Sequence, residues 1–374
     1  MKTVVIAGYA RSPFTPAKKG ELATVRPDEL AAAVVRELVR RTGVKADDIE
    51  DLMLGCAFPE GEQGLNMARL VVLQADLPIS VAGATINRFC GSSMQSVHSA
   101  AGAIQLGAGE AFICAGVESM SRVPMMGYNP LPHPGLYARM PGAYMGMGDT
   151  AENVARQWGI GRAEQEAFAV ESHRRAAAAR AAGKLADEIV AIGKVAQDGC
   201  IRPETTAESL AELKPAFDQN GTITAGTSSP LTDGAAALLV CSEDYARKND
   251  LEPLARLRSV AVAGCAPEIM GIGPVAATKK ALARAGIEAS ALDVVELNEA
   301  FASQSIACMR DLGLSAAKVN LDGGAIALGH PLGATGARIV GKAAALLKRE
   351  KGKYALATQC IGGGQGIATI LEAM

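Results

Sequence analysis

Two stretches of this 374-residue chain, "DLMLGCAF" (51–58) and "VVELNEAF" (294–301), each run from an apolar strand into Ala-Phe. Downstream of each comes a Gly-rich turn that opens a helix. Cys90 occupies that turn in the first copy and His330 in the second. Each helix is followed by a strand ending in glycine, "FICAGVES" and then "LATQCIGGG". A duplicated α/β unit would set its two equivalent turns together near a pseudo-twofold axis, so the far-separated Cys90 and His330 would meet. Any α/β protein repeats strand, turn and helix, so the repeat alone leaves duplication open.

The rest of the chain fits an α/β class. Its length exceeds what one hydrophobic core organises. Apolar runs such as "TVVIAGYA", "EAFICAGVE" and "YALATQCIG" lack strict alternation, as expected of strands covered on both faces. "DELAAAVVRELVRRTG" has apolar residues at helical spacing and stops on Gly43, a C-cap residue. Aromatics are only 4% against 41 glycines, which suits close-packed helices rather than a β-sandwich. The expected division is 1–117 plus about 231–255 as a first half, 118–230 as an insert, and 256–374 as a second half. The insert begins with "SRVPMMGYNPLPHPGLYARMPGAYMGMG", rich in Pro, Gly and Met, and continues into helical sequence. Long loops inside compact proteins tend to be functional, and Met suits an apolar ligand of variable shape. The insert is therefore the expected substrate cover.

Charge excludes some functions. The net charge is −2 with both signs nearly balanced, which argues against nucleic acid or a membrane surface as the main partner. The opening "MKTVVIAGYA" is too short for a membrane span and lacks a signal-cleavage pattern, so a cytoplasmic location is expected. The eight cysteines form no CxxC pair, so no metal site is expected and most should be reduced thiols packed as small hydrophobes.

Cys90, in "NRFCGSSMQ", precedes a helical pattern that runs to Gly107. Free backbone N–H groups and the positive helix end would lower its pKa. A buried structural thiol is the commoner fate of a cysteine, so a catalytic reading needs a base. Of the four histidines, His98, His133 and His173 read as structural or solvated. His330 sits in "LDGGAIALGHPLGATGARIVG", where glycines permit close backbone approach and Pro331 fixes the chain after the imidazole. Cys360 follows a strand and precedes three glycines whose N–H groups could hold an oxyanion. "GIGPVA" (271–276) fits a dinucleotide fingerprint only loosely, with Pro274 inside it and no ribose-binding acid evident. Asn298 and Glu299 of "NEAFA" stand at a strand end, where such a pair is ordinarily a cap or turn.

Together "NRFCGSSMQ", "GVESMSRVPM", "TAENVA", "IRPETT", "TAGTSSPLTDGAAA", "NEAFA", "GGAIALGHPLGATGAR" and "CIGGGQGIA" resemble the thiolase family along nearly the whole chain, and most closely its degradative 3-ketoacyl-CoA thiolases. The resemblance implies a five-layered αβαβα fold of two duplicated halves with an inserted loop domain. It implies thiolytic cleavage of 3-ketoacyl-CoA by CoA, through an acyl-cysteine and ping-pong kinetics. In that scheme Cys90 is the nucleophile, His330 its base, and Cys360 the acid/base for the acetyl-CoA enolate. Asn298 positions a water that forms one oxyanion hole with His330, and the N–H groups of Cys90 and Gly362 form the other.

The resemblance further places Ser229, Ala225, Phe217, Arg202, Ala300, Phe301 and Met147 near CoA, with Arg202 also readable as an ordinary surface arginine. CoA enters as a substrate, and no permanently bound cofactor is implied. A homodimer or homotetramer is implied, and some relatives join a hydratase/dehydrogenase partner subunit. Biosynthetic acetoacetyl-CoA thiolases carry a histidine where this chain has Gly146 and Met147 in "MGMGDTAEN". That departure points to broader acyl chains, with acetyl-CoA C-acetyltransferase the alternative. A decarboxylating condensing enzyme would need a second histidine where Asn298 stands, and a non-catalytic acyl-CoA-binding homologue would have no use for the nucleophile, base and acid.

Overall fold

The computed structural model describes residues 2–374. The front half supplies β1 (Val4–Arg11), β2 (Thr15–Pro16), α1 (Pro27–Thr42), β3 (Ile49–Gly55), α2 (Met67–Gln74), β4 (Ala82–Ile86), α3 (Ser92–Leu106) and β5 (Ala111–Ser119). A helical stretch follows with α4 (Pro134–Arg139), α5 (Met147–Gln157), α6 (Arg162–Ala181) and α7 (Ala207–Ala211). The chain then returns to the front half as β6 (Thr232–Ser242) and α8 (Glu243–Lys248). The back half holds β7 (Ala255–Gly264), α9 (Gly273–Ala285), β8 (Val294–Leu297), α10 (Ala302–Leu312), α11 (Ala325–Leu328), α12 (Leu332–Arg349), β9 (Tyr354–Ile361) and β10 (Gln365–Glu372).

The strands order as β4-β3-β5-β6-β1-β7-β10-β9-β8, with β2 on β6. Only Val5–Arg256 and Ile6–Ala255 join β1 to β7, so two sheets meet at a narrow seam. In the front sheet β3 lies parallel to β4 and β5, while β6 is antiparallel to β5 and β1. The back sheet repeats this. There β8 is parallel to β9 and bridges Val319 in parallel, and β10 is antiparallel to β9 and β7. The lone Val295–Val319 bridge stands where the front half has its full β4, so the duplication is visible in topology as well as in sequence.

Five layers result. Helix α1 covers the outer face of the front sheet and α9 that of the back sheet. Between the sheets α3 lies against α12, and α12 touches β5 and β6 on one side and β8 and β9 on the other. Strand β6 shows why: Ala237, Leu239 and Cys241 pack with α1, while Ala236, Leu238 and Val240 pack toward the central helices. Both faces are covered, hence the unbroken apolar run.

The central layer is tight because glycines permit backbone contact. A Cβ on Gly116 of β5 would lie 2.1 Å from the Gly333 carbonyl oxygen at the start of α12. "GIGPVA" has the same explanation. A Cβ on Gly273 would meet the Gln365 carbonyl oxygen at 2.1 Å, so this glycine lets α9 close on β10 and forms no phosphate cradle.

The stretch between β5 and β6 leans on the back half, with α5 and α6 against α10. A buried ion network ties it to the core. Arg11 reaches Asp198 at 2.7 Å and Glu188 at 2.8 Å, and Lys342 of α12 bridges Glu188 at 2.9 Å and Asp322 at 2.7 Å. Such a network fixes relative placement, because removing one member leaves an uncompensated buried charge. Among the described residues no helix is long and apolar enough to cross a membrane.

Candidate active site

Cys90 lies in the turn between β4 and α3, whose cap is Gly91. The turn is sharp: Phe89, directly before the cysteine, has φ +44, a left-handed conformation unusual for a bulky side chain. Neighbours hold it there. The Phe89 N–H donates to Asn87 Oδ1 at 2.8 Å, and Ser92 Oγ donates to the Phe89 carbonyl at 2.6 Å. From the back half, Gln359 Nε2 donates to the Cys90 carbonyl, and Gln365 Oε1 accepts from Arg88 Nη1 at 2.9 Å.

His330 lies in the matching turn before α12, between Gly329 at φ +107 and Pro331. Its N–H donates to Thr232 Oγ1 at 3.1 Å. Nδ1 is 2.6 Å from Thr335 Oγ1, and Nε2 is 3.4 Å from Asn298 Nδ2. The front half steadies this turn through Glu118 at the end of β5. That carboxylate accepts from the Gly333 N–H at 2.9 Å, the Ala57 N–H at 2.8 Å and Gln63 Nε2 at 2.8 Å. Each half therefore holds the other half's turn.

The two turns open on one cavity of about 410 Å³ lined by Cys90, His330, Cys360 and Gly362. That volume suits a small organic substrate. Its remaining wall is mostly apolar, and no Asp, Glu, Lys or Arg contributes to it. Met125, Met126, Tyr144, Met145 and Met147, from the stretch between β5 and β6, form part of this wall.

Burial governs the titration of all three groups. It pushes the Cys90 thiol up to about 12, opposed by the N–H groups of Gly362 and of Cys90 itself, with Glu118 adding to the rise. This corrects the sequence expectation of a lowered thiol pKa: desolvation outweighs the helix end. Burial, reinforced by the Cys90 sulfur, also raises Cys360. His330 is lowered to about 3, first by burial and then by the Arg338 charge. At neutral pH the cavity thus holds two thiols and a neutral imidazole.

The expected CoA-side residues divide. Met147, Phe217, Ser229, Ala300 and Phe301 line the cavity, with the Ser229 N–H donating to the Ala300 carbonyl at 3.0 Å and the Phe217 and Phe301 rings 6.0 Å apart edge to face. Ala225 and Arg202 do not line it; both are exposed, and the Arg202 N–H donates to His173 Nδ1 at 3.1 Å. Asn298 sits behind His330, fully buried, with Oδ1 unpartnered by protein. Sequence reasoning missed Glu118, Gln359 and Thr335 as supports of the turns, and Phe58, Met120 and Leu231 as wall residues. Among the described residues no three His, Cys, Asp or Glu side chains cluster as a metal site.

Residues 4–244 match the thiolase N-terminal domain and residues 251–373 the thiolase C-terminal domain. The chain is 48% identical to a 3-ketoacyl-CoA thiolase of Bacillus subtilis (strain 168) over the whole of both chains. It is 50% identical to the 3-ketoacyl-CoA thiolase of Shewanella frigidimarina (strain NCIMB 400), again with full coverage of both. A Marinomonas (strain MWYL1) protein of the same name is also 50% identical, over 99% of this chain and 98% of its own. With its duplicated five-layered fold and these matches, the chain belongs to the thiolase family.

Proposed function

We propose that the chain cleaves 3-ketoacyl-CoA with CoA to acyl-CoA and acetyl-CoA, a reversible reaction. The observation that carries this reading is the convergence of Cys90, His330 and Cys360 on one uncharged cavity, with amide N–H groups aimed at the Cys90 sulfur. The Cys90 thiol gives its proton to His330 as sulfur adds to the C3 ketone. The C2–C3 bond then breaks, leaving the acyl group on Cys90 as a thioester. The departing carbanion is tolerable only as an acetyl-CoA enolate, and Cys360 protonates it. CoA enters next, gives its thiol proton to the Cys360 thiolate and attacks the acyl group, and Cys90 leaves with the proton from His330.

Two sets of donors serve the two oxyanions. The N–H groups of Cys90 and Gly362 form one. The buried Asn298, with a free amide oxygen beside His330, can hold a water that completes the other. The wall of Met147, Phe217, Ser229, Ala300 and Phe301 receives pantetheine, Arg202 and Ala225 lie toward the nucleotide outside, and CoA is a substrate rather than a resident cofactor. The division into 1–117 plus about 231–255, 118–230 and 256–374 makes the central segment the cover. The cavity volume and the Gly146-Met147 sequence favour chains longer than acetoacetyl. The absence of a cationic lining residue disfavours a carboxylate-bearing malonyl substrate.

Among the described residues β4 pairs with no strand but β3, its Gly83 carbonyl and Thr85 N–H being met by the Asn66 side chain, and Leu65 and Ile79 nearby are 89% and 80% exposed. An edge of this kind calls for a partner, and a homodimer through it is the proposed assembly. The testing experiment is a chain-length series of kcat/KM for thiolysis with purified protein. Turnover rising beyond the four-carbon substrate is expected; no turnover at any length would reject the activity.

A further inference from the structure

Burial and Arg338 keep the His330 imidazole neutral down to about 3, so what remains to be set is which of its nitrogens carries the proton. A base must present a lone pair to the sulfur, and only one of the two neutral tautomers does so. Nδ1 is engaged by Thr335 of α12, which leaves Nε2 as the nitrogen that can serve Cys90 across the shared cavity.

We propose that Thr335 is the positioning residue that fixes this tautomer, accepting Nδ1–H so that the Nε2 lone pair is free for the Cys90 proton. Three contacts agree. Thr335 is fully buried, and the first turn of α12 carries its hydroxyl back over Pro331, where Oγ1 lies 3.4 Å from the Pro331 carbonyl oxygen. A hydroxyl that donates there turns a lone pair to Nδ1, 2.6 Å away. A bare Nε2 is also the form compatible with Asn298 Nδ2, a donor 3.4 Å away, a contact too long to hold the lone pair against the Cys90 proton. With the hydroxyl reversed, Nε2–H would face the Asn298 amide N–H, donor against donor. A threonine in place of the carboxylate of a Ser-His-Asp triad also leaves the imidazolium without a counter-charge, so the proton passes back readily to the departing Cys90.

The inference rests on the thiolase reading, and its test separates the two. Thr335→Val keeps the shape and removes the hydroxyl; Thr335→Ser keeps the hydroxyl. In thiolysis, Thr335→Val should lower kcat on the order of 10- to 100-fold, the scale of a misdirected base, while KM for the acyl-CoA stays within about twofold. Thr335→Ser should recover most of the loss. Imidazole ¹⁵N shifts of the wild-type protein should show His330 protonated at Nδ1, with Thr335→Val giving a tautomer mixture. Wild-type Nε2–H, wild-type turnover in Thr335→Val, or equal impairment in the two variants would each overturn the assignment. Should Thr335→Val fail to fold, as circular dichroism would reveal, the wild-type spectrum and Thr335→Ser still decide. A wild-type protein inactive in thiolysis would sink the thiolase reading and leave the tautomer measurement standing.

Discussion

The turn before α3 and the turn before α12 are one structural device used twice, and in the proposed reaction they do opposite chemistry. Both open a central helix, and both face the same cavity. The front turn carries an acid held protonated by burial, and the back turn a base held unprotonated by the same burial. Low dielectric pushes each toward its neutral form. A thiol and an imidazole at rest can therefore exchange one proton during attack without a standing ion pair. The supports are reciprocal too: Gln359 of the back half fixes the Cys90 carbonyl, and Glu118 of the front half fixes the Gly333 N–H after His330.

The severest way to break this comparison is to remove either reacting group. Cys90→Ala and His330→Gln should each lower thiolysis by roughly 10³-fold or more in steady-state assays, because the two act as a unit. Their double variant should be little worse than either alone.

Removing a strap should cost less. Glu118→Gln keeps the shape but presents an amide to backbone donors, so it should destabilise the fold by roughly 1–3 kcal/mol in urea titration. Because the Glu118 charge adds to the rise of the Cys90 thiol, alkylation of Cys90 should shift to lower pH in this variant. An unchanged alkylation profile would mean that the strap and the nucleophile are not coupled.

A separate expectation is the pH dependence of stability. His330 and His98 are lowered to about 3 and His173 to about 4, each first by burial. Unfolded histidine titrates near about 6.5, so below that pH the unfolded chain binds protons that the folded chain refuses. Stability should therefore be intact above about pH 6.5 and fall steadily from there toward pH 4. Thermal melts across this window check it, and His98→Gln should flatten the slope.

Much of this was legible in the sequence, for physical reasons. A duplicated strand-turn-helix pattern must fold alike twice, and Gly-rich surroundings mark Cys90, His330 and Cys360 because close backbone approach demands glycine. Glu118 and Gln359 were a fainter signal: each is a large polar residue near the end of a mostly apolar strand, "FICAGVES" and "LATQCIG", which in a buried strand requires a partner. Thr335 gave none, since a hydroxyl in a small-residue helix is ordinary until the helix direction is known. The pKa of Cys90 went the wrong way because local helix-end reasoning cannot weigh desolvation by distant segments. Arg202 and Ala225 lie outside the cavity, where the motif match asked only for a place near pantetheine or nucleotide.

Where the acyl group goes tests the proposed reaction most directly. Wild-type protein mixed with a 3-ketoacyl-CoA in the absence of free CoA, quenched in acid and mapped by peptide mass, should carry an acyl group two carbons shorter than the substrate on Cys90 and on no other cysteine. An acyl group on Cys360, or an unmodified Cys90 alongside released acetyl-CoA, would contradict it.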